Sequence, residues 1–368
     1  MPEAIDRGSD PNVGARMTQL TSGALVSQCI YCEERYTSAD GRYIAILRGP
    51  TGYAPGESLW VVDLETSQVA PTGCLLAGYP ASNPFSDGLF FEAAGTGDRR
   101  VLMRFDLATW ELEEAGDLSA CPATRYPVCS VSPDERYYLG NYRIAGDLWG
   151  LYRVDLREGT WEALHQHEHI CNPHPQYEPR EGREILVQLN RGSVLDEDEN
   201  IEQLVGEEGA TLYVIDAEGG NLRYLPVGQP FTGPVTGHEC WVGGTGEVIL
   251  TVSEPPGGAI YLLKPGDEVA RRLWRGRCFG HMSASVDGRF FVTDDFINGR
   301  IYVGSLATGR MMPLCDTGAT CASPQATHPH PYMTPGNRHV IFNSDRTGLA
   351  QVWAAEVPGW FLEVLEDN

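Results

Sequence analysis

The chain of 368 residues lacks several features that would place it in common functional classes. No apolar stretch approaches the ~18 residues that a membrane helix needs, so no membrane span is predicted. Basic residues are scarce, with 27 Lys and Arg against 50 Asp and Glu, and the net charge of −23 argues against a nucleic-acid partner. The first residues contain no basic segment followed by an apolar run, so we recognise no secretory signal and expect a cytoplasmic protein.

Ten cysteines are present, but they do not form a recognisable framework. In a chain of this length without a signal, free buried thiols are expected rather than disulfides. Cys29 and Cys32 form one CxxC pair, and no second pair stands at zinc-ribbon spacing, so a structural zinc site is disfavoured.

A repeat runs through the whole chain. Each of seven segments has a turn centred on Asp or Gly, an apolar strand and a later strand that ends in a second turn. The first three turns lie near Asp40, Asp87 and Asp134, at intervals of 47 residues. The seven turn-and-strand segments are "SADGRYIAIL", "FSDGLFFEA", "SPDERYYLG", "PREGREILV", "GGTGEVILTV", "SVDGRFFVT" and "TPGNRHVIF".

This repeat predicts an all-β protein that is a single seven-bladed β-propeller. A period in the high forties with alternating strands is typical of propeller blades, and a side-chain period of two excludes a helical solenoid. Either "MTQLTSG" near the start or the final "WFLEVLE" could close the ring. The blades are predicted near residues 31–70, 79–112, 126–163, 174–225, 238–273, 281–313 and 328–358.

Four of the nine histidines fall at one position of the repeat. Six or seven residues before the turn, blades one to three have Glu34, Ala81 and Val128. At the same place, blades four to seven have four histidines: His174, His238, His281 and His330. Because this position lies at one end of the innermost strand, we expect the four rings to meet at one mouth of the central channel.

Blade seven adds a glutamine and a further histidine, so that Gln325, His328 and His330 form a Q-x-x-H-x-H element. A single histidine here could cap a strand or bond to a neighbouring blade, but four in register favour a site. Imidazoles with an amide oxygen suit Mn, Fe, Ni, Zn or Co rather than Ca or Mg. His165, His167 and His169 form a second dense run, expected in a solvated loop, with a second metal site or a lid as alternatives.

Several segments resemble, in order, those of the oligogalacturonate lyases. They are "GARMTQLTSG", "LMRFDLATWELEE", "GHECWVGG", "GHMSASVDGRFFVTDD" and "QATHPHPYMTPGNRHVIFNSDRTGLAQVWAAEVP". The resemblance spans nearly the whole chain, and its specific part is the Q-x-x-H-x-H element with the two upstream histidine positions.

This resemblance implies an intracellular seven-bladed propeller that cleaves short uronate oligosaccharides by β-elimination. By position, the residues that match the family's manganese ligands are His281, Gln325, His328 and His330. His238 matches the histidine that acts as the base, and His174 would face the substrate. A neutral histidine can take the proton at C5 of a uronate, and a divalent ion can polarise the adjacent carboxylate.

One departure from the family concerns an arginine that assists the elimination. Thr211 stands at the matching position, and Arg191 is the predicted replacement in catalysis and substrate binding. The mismatch favours another uronic-acid linkage, such as a glucuronate, as an alternative substrate. A non-catalytic propeller that binds acidic sugars is the second alternative, and a hydrolase using Glu34 or Glu239 is the third. The sequence predicts no oligomeric state.

Overall fold

The computed structural model describes residues 1–50, 56–95, 97–125, 128–196, 200–297 and 299–367. Most of these residues form short antiparallel strands. Within this part of the chain, no helix combines the length and the apolar character needed to cross a membrane.

The strands of the described residues form seven blade sheets and one extra hairpin. Two strands precede blade one: β1 (Ile5–Ser9) and β2 (Arg16–Gln19). Blade one contains β3 (Val26–Gln28), β4 (Tyr43–Gly49), β5 (Ser58–Asp63) and β6 (Gln68–Leu75). Blade two contains β7 (Ala81–Ser82), β8 (Gly88–Ala93), β9 (Val101–Asp106) and β10 (Leu112–Asp117). Blade three contains β11 (Ser130–Val131), β12 (Tyr137–Ala145), β13 (Leu148–Asp155) and β14 (Thr160–Glu168).

The remaining four blades follow in chain order. Blade four contains β15 (Gln176–Tyr177), β16 (Glu184–Leu189), β19 (Thr211–Asp216) and β20 (Arg223–Tyr224), and the hairpin β17 (Val194–Leu195) and β18 (Ile201–Gln203) is inserted within it. Blade five contains β21 (Val235–Trp241), β22 (Val248–Glu254), β23 (Gly257–Leu263) and β24 (Arg271–Arg275). Blade six contains β25 (Phe279–Ala284), β26 (Phe290–Asp295), β27 (Arg300–Ser305) and β28 (Met311–Asp316). Blade seven contains β29 (Tyr332–Met333), β30 (His339–Ser344) and β31 (Gln351–Glu356), preceded by the short helix Gln325–Thr327.

The seven-bladed propeller predicted from the repeat is confirmed. Each blade is an antiparallel sheet whose first strand lies innermost, beside the first strands of its neighbours. The second strand is buried on both faces because a blade lies between two others; Ile44 to Leu47 of β4 are fully buried. The repeated turn also has a common cause, since Ser38, Ser132 and Ser285 each donate a hydrogen bond to the aspartate two residues later, at 2.6–2.7 Å.

The N-terminal segment, and not the C-terminal one, closes the ring. Strand β2 pairs with β31, and Met17 opposite Ala355 is buried in the core of blades six and seven. The final segment forms instead the α-helix Gly359–Glu366, whose Phe361 and Leu365 pack into that same core. Blade seven therefore combines strands from both ends of the chain.

The histidine run expected in a solvated loop lies mostly in a strand, so that expectation was wrong. His165 and His167 lie in β14, the outer strand of blade three, because the run alternates as a strand does. The insertion "VLDEDENIEQLVGEEG" of blade four, for which charges of one sign predict a solvated loop, contains the short and largely exposed hairpin β17–β18. Its residues 197–199 lie outside the described part. Residues 126 and 127, where the third blade was predicted to begin, also lie outside it.

Candidate metal centre

His281 is aimed into the channel by an irregularity in strand β25. The pairing register of β25 shifts between Phe279 and Met282, and such bulges redirect a side chain. Gly280 precedes the histidine, and a Cβ there would stand 2.3 Å from Phe296 and 2.7 Å from Oδ1 of Asp294. That carboxylate accepts the backbone N–H of His281 at 2.7 Å and its Nδ1–H at 2.7 Å, which leaves Nε2 as the ligand atom.

His328 and His330 approach His281 from blade seven, with ring centroids 5.5 and 4.1 Å from that of His281. Nε2 of His328 donates to the carbonyl of Ala322 at 3.0 Å, so the lone pair of its Nδ1 remains for a ligand. His330 has a φ of +42°, although a proline follows it. Such a left-handed conformation is costly for a non-glycine residue before proline and occurs mostly at functional sites.

These side chains fit a divalent transition-metal ion. The ligand atoms of His281, His328 and His330 all lie within 4.8 Å of one another. Several buried atoms around them make no hydrogen bond within the described residues: Oε1 of Gln325, Nδ1 of His328 and both ring nitrogens of His330. An unpartnered buried nitrogen or oxygen is costly, and a bound cation removes that cost.

His238 stands beside this group, with its ring centroid 4.4 Å from that of His281. Strand β21 carries a register shift between Val235 and Glu239, and Gly237 has a φ of +86°. Nδ1 of His238 lies 3.4 Å from the hydroxyl of Tyr31 and 3.6 Å from Oε1 of Glu33. Its other nitrogen, Nε2, is therefore the one available to a substrate.

His174 completes the set of four and shares Glu33 with His238. Its Nδ1 lies 2.5 Å from Oε1 of Glu33, and both side chains are buried. Like His330, His174 precedes a proline and has a left-handed backbone, with a φ of +43°. Blades four and seven thus use the same strained His-Pro conformation to turn a ring towards the channel.

Burial controls the protonation of these groups. Desolvation, followed by repulsion from His281 and His174, holds the pKa of His238 well below its usual 6.5. Desolvation also lowers the pKa of His174 and raises that of Glu33 well above 4.5, so this pair is neutral. Desolvation also lowers the pKa of His328 and His330, so burial favours the neutral form, which can act as a base or a ligand.

A cavity of about 360 Å³ opens beside His238 and Gln325. Tyr31 and His174 also line it, together with Asn172, Gln188 and Asn190 and, from the insertion of blade four, Ile201, Leu204 and Val205. Of the residues predicted from sequence, the structure therefore brings together His174, His238, His281, Gln325, His328 and His330.

Arg191 and Thr211 lie outside this assembly. The guanidinium of Arg191 donates to the carbonyls of Gly209, Glu208 and Gln229 at 2.7–2.9 Å, so it holds a loop. Arg191 is not among the described residues that line the cavity, and its catalytic and substrate-binding roles stay a prediction. The buried Thr211 donates from Oγ1 to Val227 at 2.6 Å and does not line the cavity.

The two glutamates considered for hydrolysis also lie away from the cavity. Glu34 accepts the N–H of Ser82, and burial raises its pKa to about 8. Glu239 is fully buried, neither carboxylate oxygen has a partner within the described residues, and burial raises its pKa to about 8. Neither is placed as the exposed carboxylate that a hydrolase needs.

Sequence reasoning missed Tyr31, Glu33 and Asp294. Glu33 precedes the residue that the repeat aligns with the histidines, and the structure turns this side chain, rather than Glu34, towards them. Asp294 follows a strand of buried residues in "FFVTDD", and only the pairing of β25 with β26 places it beside His281.

Comparison with known proteins gives a consistent set of relatives, although no family model matches the chain. The chain is 24% identical to the oligogalacturonate lyase of Dickeya dadantii in an alignment of 404 positions that covers 95% of each protein. It is 26% identical over 230 residues to the oligogalacturonide lyase of Pectobacterium atrosepticum, covering 56% of this chain and 55% of that protein.

Two solved structures share the fold over nearly the full length. An oligogalacturonate lyase in complex with manganese superposes with a TM-score of 0.75 at 22% identity, covering 98% of both chains. The oligogalacturonate lyase of Vibrio parahaemolyticus gives 0.74 at 18% identity, again covering 98% of both. These similarities confirm the resemblance to the oligogalacturonate lyases stated from the motifs, and this chain is a divergent relative.

Proposed function

We propose that the protein is a metal-dependent lyase that cleaves uronate-containing oligosaccharides by β-elimination, with oligogalacturonate or a related acidic disaccharide as substrate. The observation that carries this proposal is the position of His238. A half-buried imidazole whose pKa lies well below 6.5 stands 4.4 Å, ring to ring, from one of three histidines that can hold a divalent ion. The full-length similarity to oligogalacturonate lyases supports the same reaction.

His281, Gln325, His328 and His330 would hold the ion, for which manganese is our proposal. When bound, it supplies Lewis-acid polarisation of the uronate carboxylate and lowers the cost of the charge that develops on the sugar. Three imidazoles and an amide oxygen suit manganese among other transition metals. The manganese complex of a structural neighbour supports this choice.

His238 acts as the base in the proposed mechanism. Its Nδ1 faces Tyr31 and Glu33, so its Nε2 takes the proton from C5 of the uronate. The C5–H electrons form the C4=C5 double bond, and the glycosidic oxygen at C4 leaves and acquires a proton from solvent. The low pKa of His238 keeps it unprotonated and ready for this step.

His174 and Glu33 have supporting roles. Their hydrogen bond fixes the ring of His174 at the wall of the cavity, where it contacts the substrate in this proposal. Glu33 also lies beside Nδ1 of His238 and orients that ring. We assign Glu33 as a positioning residue because it touches the two histidines rather than the cavity.

A lyase for another uronic-acid linkage is the second candidate. It is favoured by Thr211, which stands where the family has its arginine, and by the absence of any arginine or lysine among the described residues that line the cavity.

We place the activity in pectin or related polysaccharide breakdown in the cytoplasm, since all ten cysteines are free thiols, as in reducing compartments.

The test is incubation with manganese and a panel of acidic oligosaccharides, followed by ultraviolet absorbance of the 4,5-unsaturated product. A rise with any uronate supports the lyase, and its substrate dependence separates the two linkages. No rise with any of them contradicts both lyase candidates. Binding of the sugars without turnover would identify a non-catalytic sugar-binding propeller.

A further inference from the structure

Away from the proposed metal site, which takes the carboxylate of the reacting uronate, the side chains that line the cavity beside His238 carry no formal charge. Among the described residues that line it there is no lysine, arginine, aspartate or glutamate. A buried carboxylate needs a cation or several donors to replace its water shell. The lining therefore suits an uncharged polar ligand.

Three amide side chains form one wall of the cavity: Asn172, Gln188 and Asn190. They are 8%, 2% and 0% exposed, and Oδ1 of Asn172, Oε1 of Gln188 and both amide atoms of Asn190 make no hydrogen bond within the described residues. Amides offer both donors and acceptors, which hydroxyl groups can pair with from either side. This wall is built to meet hydroxyls.

The amide wall is held rigidly. The backbone N–H of Gln188 donates to Pro173 at 2.8 Å, and that of Asn190 donates to His169 at 2.8 Å. These bonds tie the end of β16 to the segment that carries Asn172. The backbone from which the three buried amides project is thus held in place, which limits the reorganisation that binding requires.

Another part of the lining is apolar and comes from the insertion of blade four. Ile201, Leu204 and Val205 line the cavity, and the first two are 40% and 41% exposed. Apolar side chains can cover the C–H face of a sugar ring. The exposed Glu202 and Glu207 on the same insertion repel an anion that approaches there.

Arg191 is the cation nearest in sequence to the amide wall, and it is engaged elsewhere. Its three hydrogen bonds to backbone carbonyls occupy Nε and both terminal nitrogens. They use three of its five N–H groups, and Arg191 is not among the described residues that line the cavity. The cavity thus has no ready partner for a second negative charge.

We propose that this cavity binds an uncharged, hydroxyl-rich sugar ring that adjoins the reacting uronate. The ring is either a neutral sugar residue or a uronate residue whose carboxylate is esterified. This inference rests on the proposed lyase function and narrows its substrate, because it favours a related acidic disaccharide over free oligogalacturonate. The substrate would have one free carboxylate, at the reacting residue, and none on the ring in the cavity.

The experiment compares three disaccharides with the same reacting uronate and a different second ring: a free uronate, its methyl ester and a neutral hexose. Binding to the manganese-loaded protein is measured by calorimetry with analogues in which a CH2 group replaces the glycosidic oxygen, because a carbon substituent at C4 cannot leave. Turnover is measured separately with the natural linkages. We expect both disaccharides with an uncharged second ring to bind about tenfold more tightly than the disaccharide with a free uronate as its second ring. A tenfold difference corresponds to the loss of about one hydrogen bond to a charged group. Equal or tighter binding of the doubly charged sugar, or no binding of any, overturns the inference. Absence of turnover despite this preference would contradict only the lyase function.

Charge variants test the same wall. Gln188→Arg should reverse the preference and raise affinity for the doubly charged sugar about tenfold. Gln203→Arg adds the same charge on an exposed position of the hairpin outside the cavity lining, and should change the preference little. Arg191→Gln should leave the preference unchanged; if it selectively abolishes binding of the doubly charged sugar, Arg191 is the carboxylate partner and the inference fails. Thermal unfolding of each variant confirms that it is folded.

Discussion

Oδ2 of Asp294 lies 2.7 Å from Nδ1 of His281, and both side chains are 1% exposed. The same carboxylate also accepts the backbone N–H of His281, so one residue fixes both the position and the tautomer of this ligand. Such an outer partner tunes a metal site without touching the metal.

Asp294→Asn should weaken metal binding about 10–100-fold, because the amide cannot accept from Nδ1–H as strongly and no longer holds the tautomer. Manganese titration by calorimetry measures this change. Asp345→Asn, an exposed aspartate of blade seven that binds Thr320, is the control and should bind metal like the unmodified chain. Unchanged affinity in Asp294→Asn would refute the assigned role.

Loss of a direct ligand should have a larger effect. His328→Ala or His330→Ala is expected to reduce manganese affinity by more than the ~10–100-fold of an outer partner. Metal content is measured after chelation, reloading and gel filtration. His167→Ala serves as the matched control and also tests the histidine run of β14 as a second metal site. If the His330 variant retains its metal while the His167 variant loses it, the site has been placed wrongly.

His238→Ala should remove turnover and keep the metal. Loss of a general base costs about 10²–10⁴-fold in rate. Added imidazole should restore part of the activity, since a free base can fill the space left by the ring. Full activity in the variant, or loss of its metal, would show that His238 is not the base.

His165 should make the stability of the fold decrease as the pH falls. Its Nε2 lies 3.1 Å from the hydroxyl of Tyr213, and burial lowers its pKa below 6.5. The unfolded chain therefore binds this proton more readily, so the stabilising contribution is full above pH 6.5 and is lost as the pH falls towards the lower folded value. The difference in Tm between the unmodified chain and His165→Asn should therefore become smaller as the pH falls. His167→Asn controls for an effect that any histidine of β14 would have on Tm. A Tm difference for His165→Asn that stays constant with pH would contradict the prediction.

The repeat was sufficient to predict the propeller and to place His174, His238, His281 and His330 together. A regular fold converts equal sequence positions into neighbouring spatial positions, which is why alignment of the turns worked. The repeat could not predict the backbone conformation of single residues. The left-handed φ of His330 and the bulge at His281 arise from tertiary contacts and leave no periodic signal.

The cavity was hidden from the sequence for a different reason. Asn172, Gln188 and Asn190 are ordinary residues in three separate local contexts, and only the fold gathers them into one wall. For Arg191, the charge suggested a role in substrate binding. The sequence does not show that three backbone carbonyl groups accept hydrogen bonds from this side chain.

The closure of the ring has a consequence for the integrity of the site. Gln325, His328 and His330 belong to blade seven, whose sheet joins β2 near the start of the described chain to β31 near its end. The blade that carries three of the four proposed metal ligands is therefore also the blade that depends on a contact between segments far apart in sequence. A change that separates β2 from β31 would open the ring at the metal centre itself.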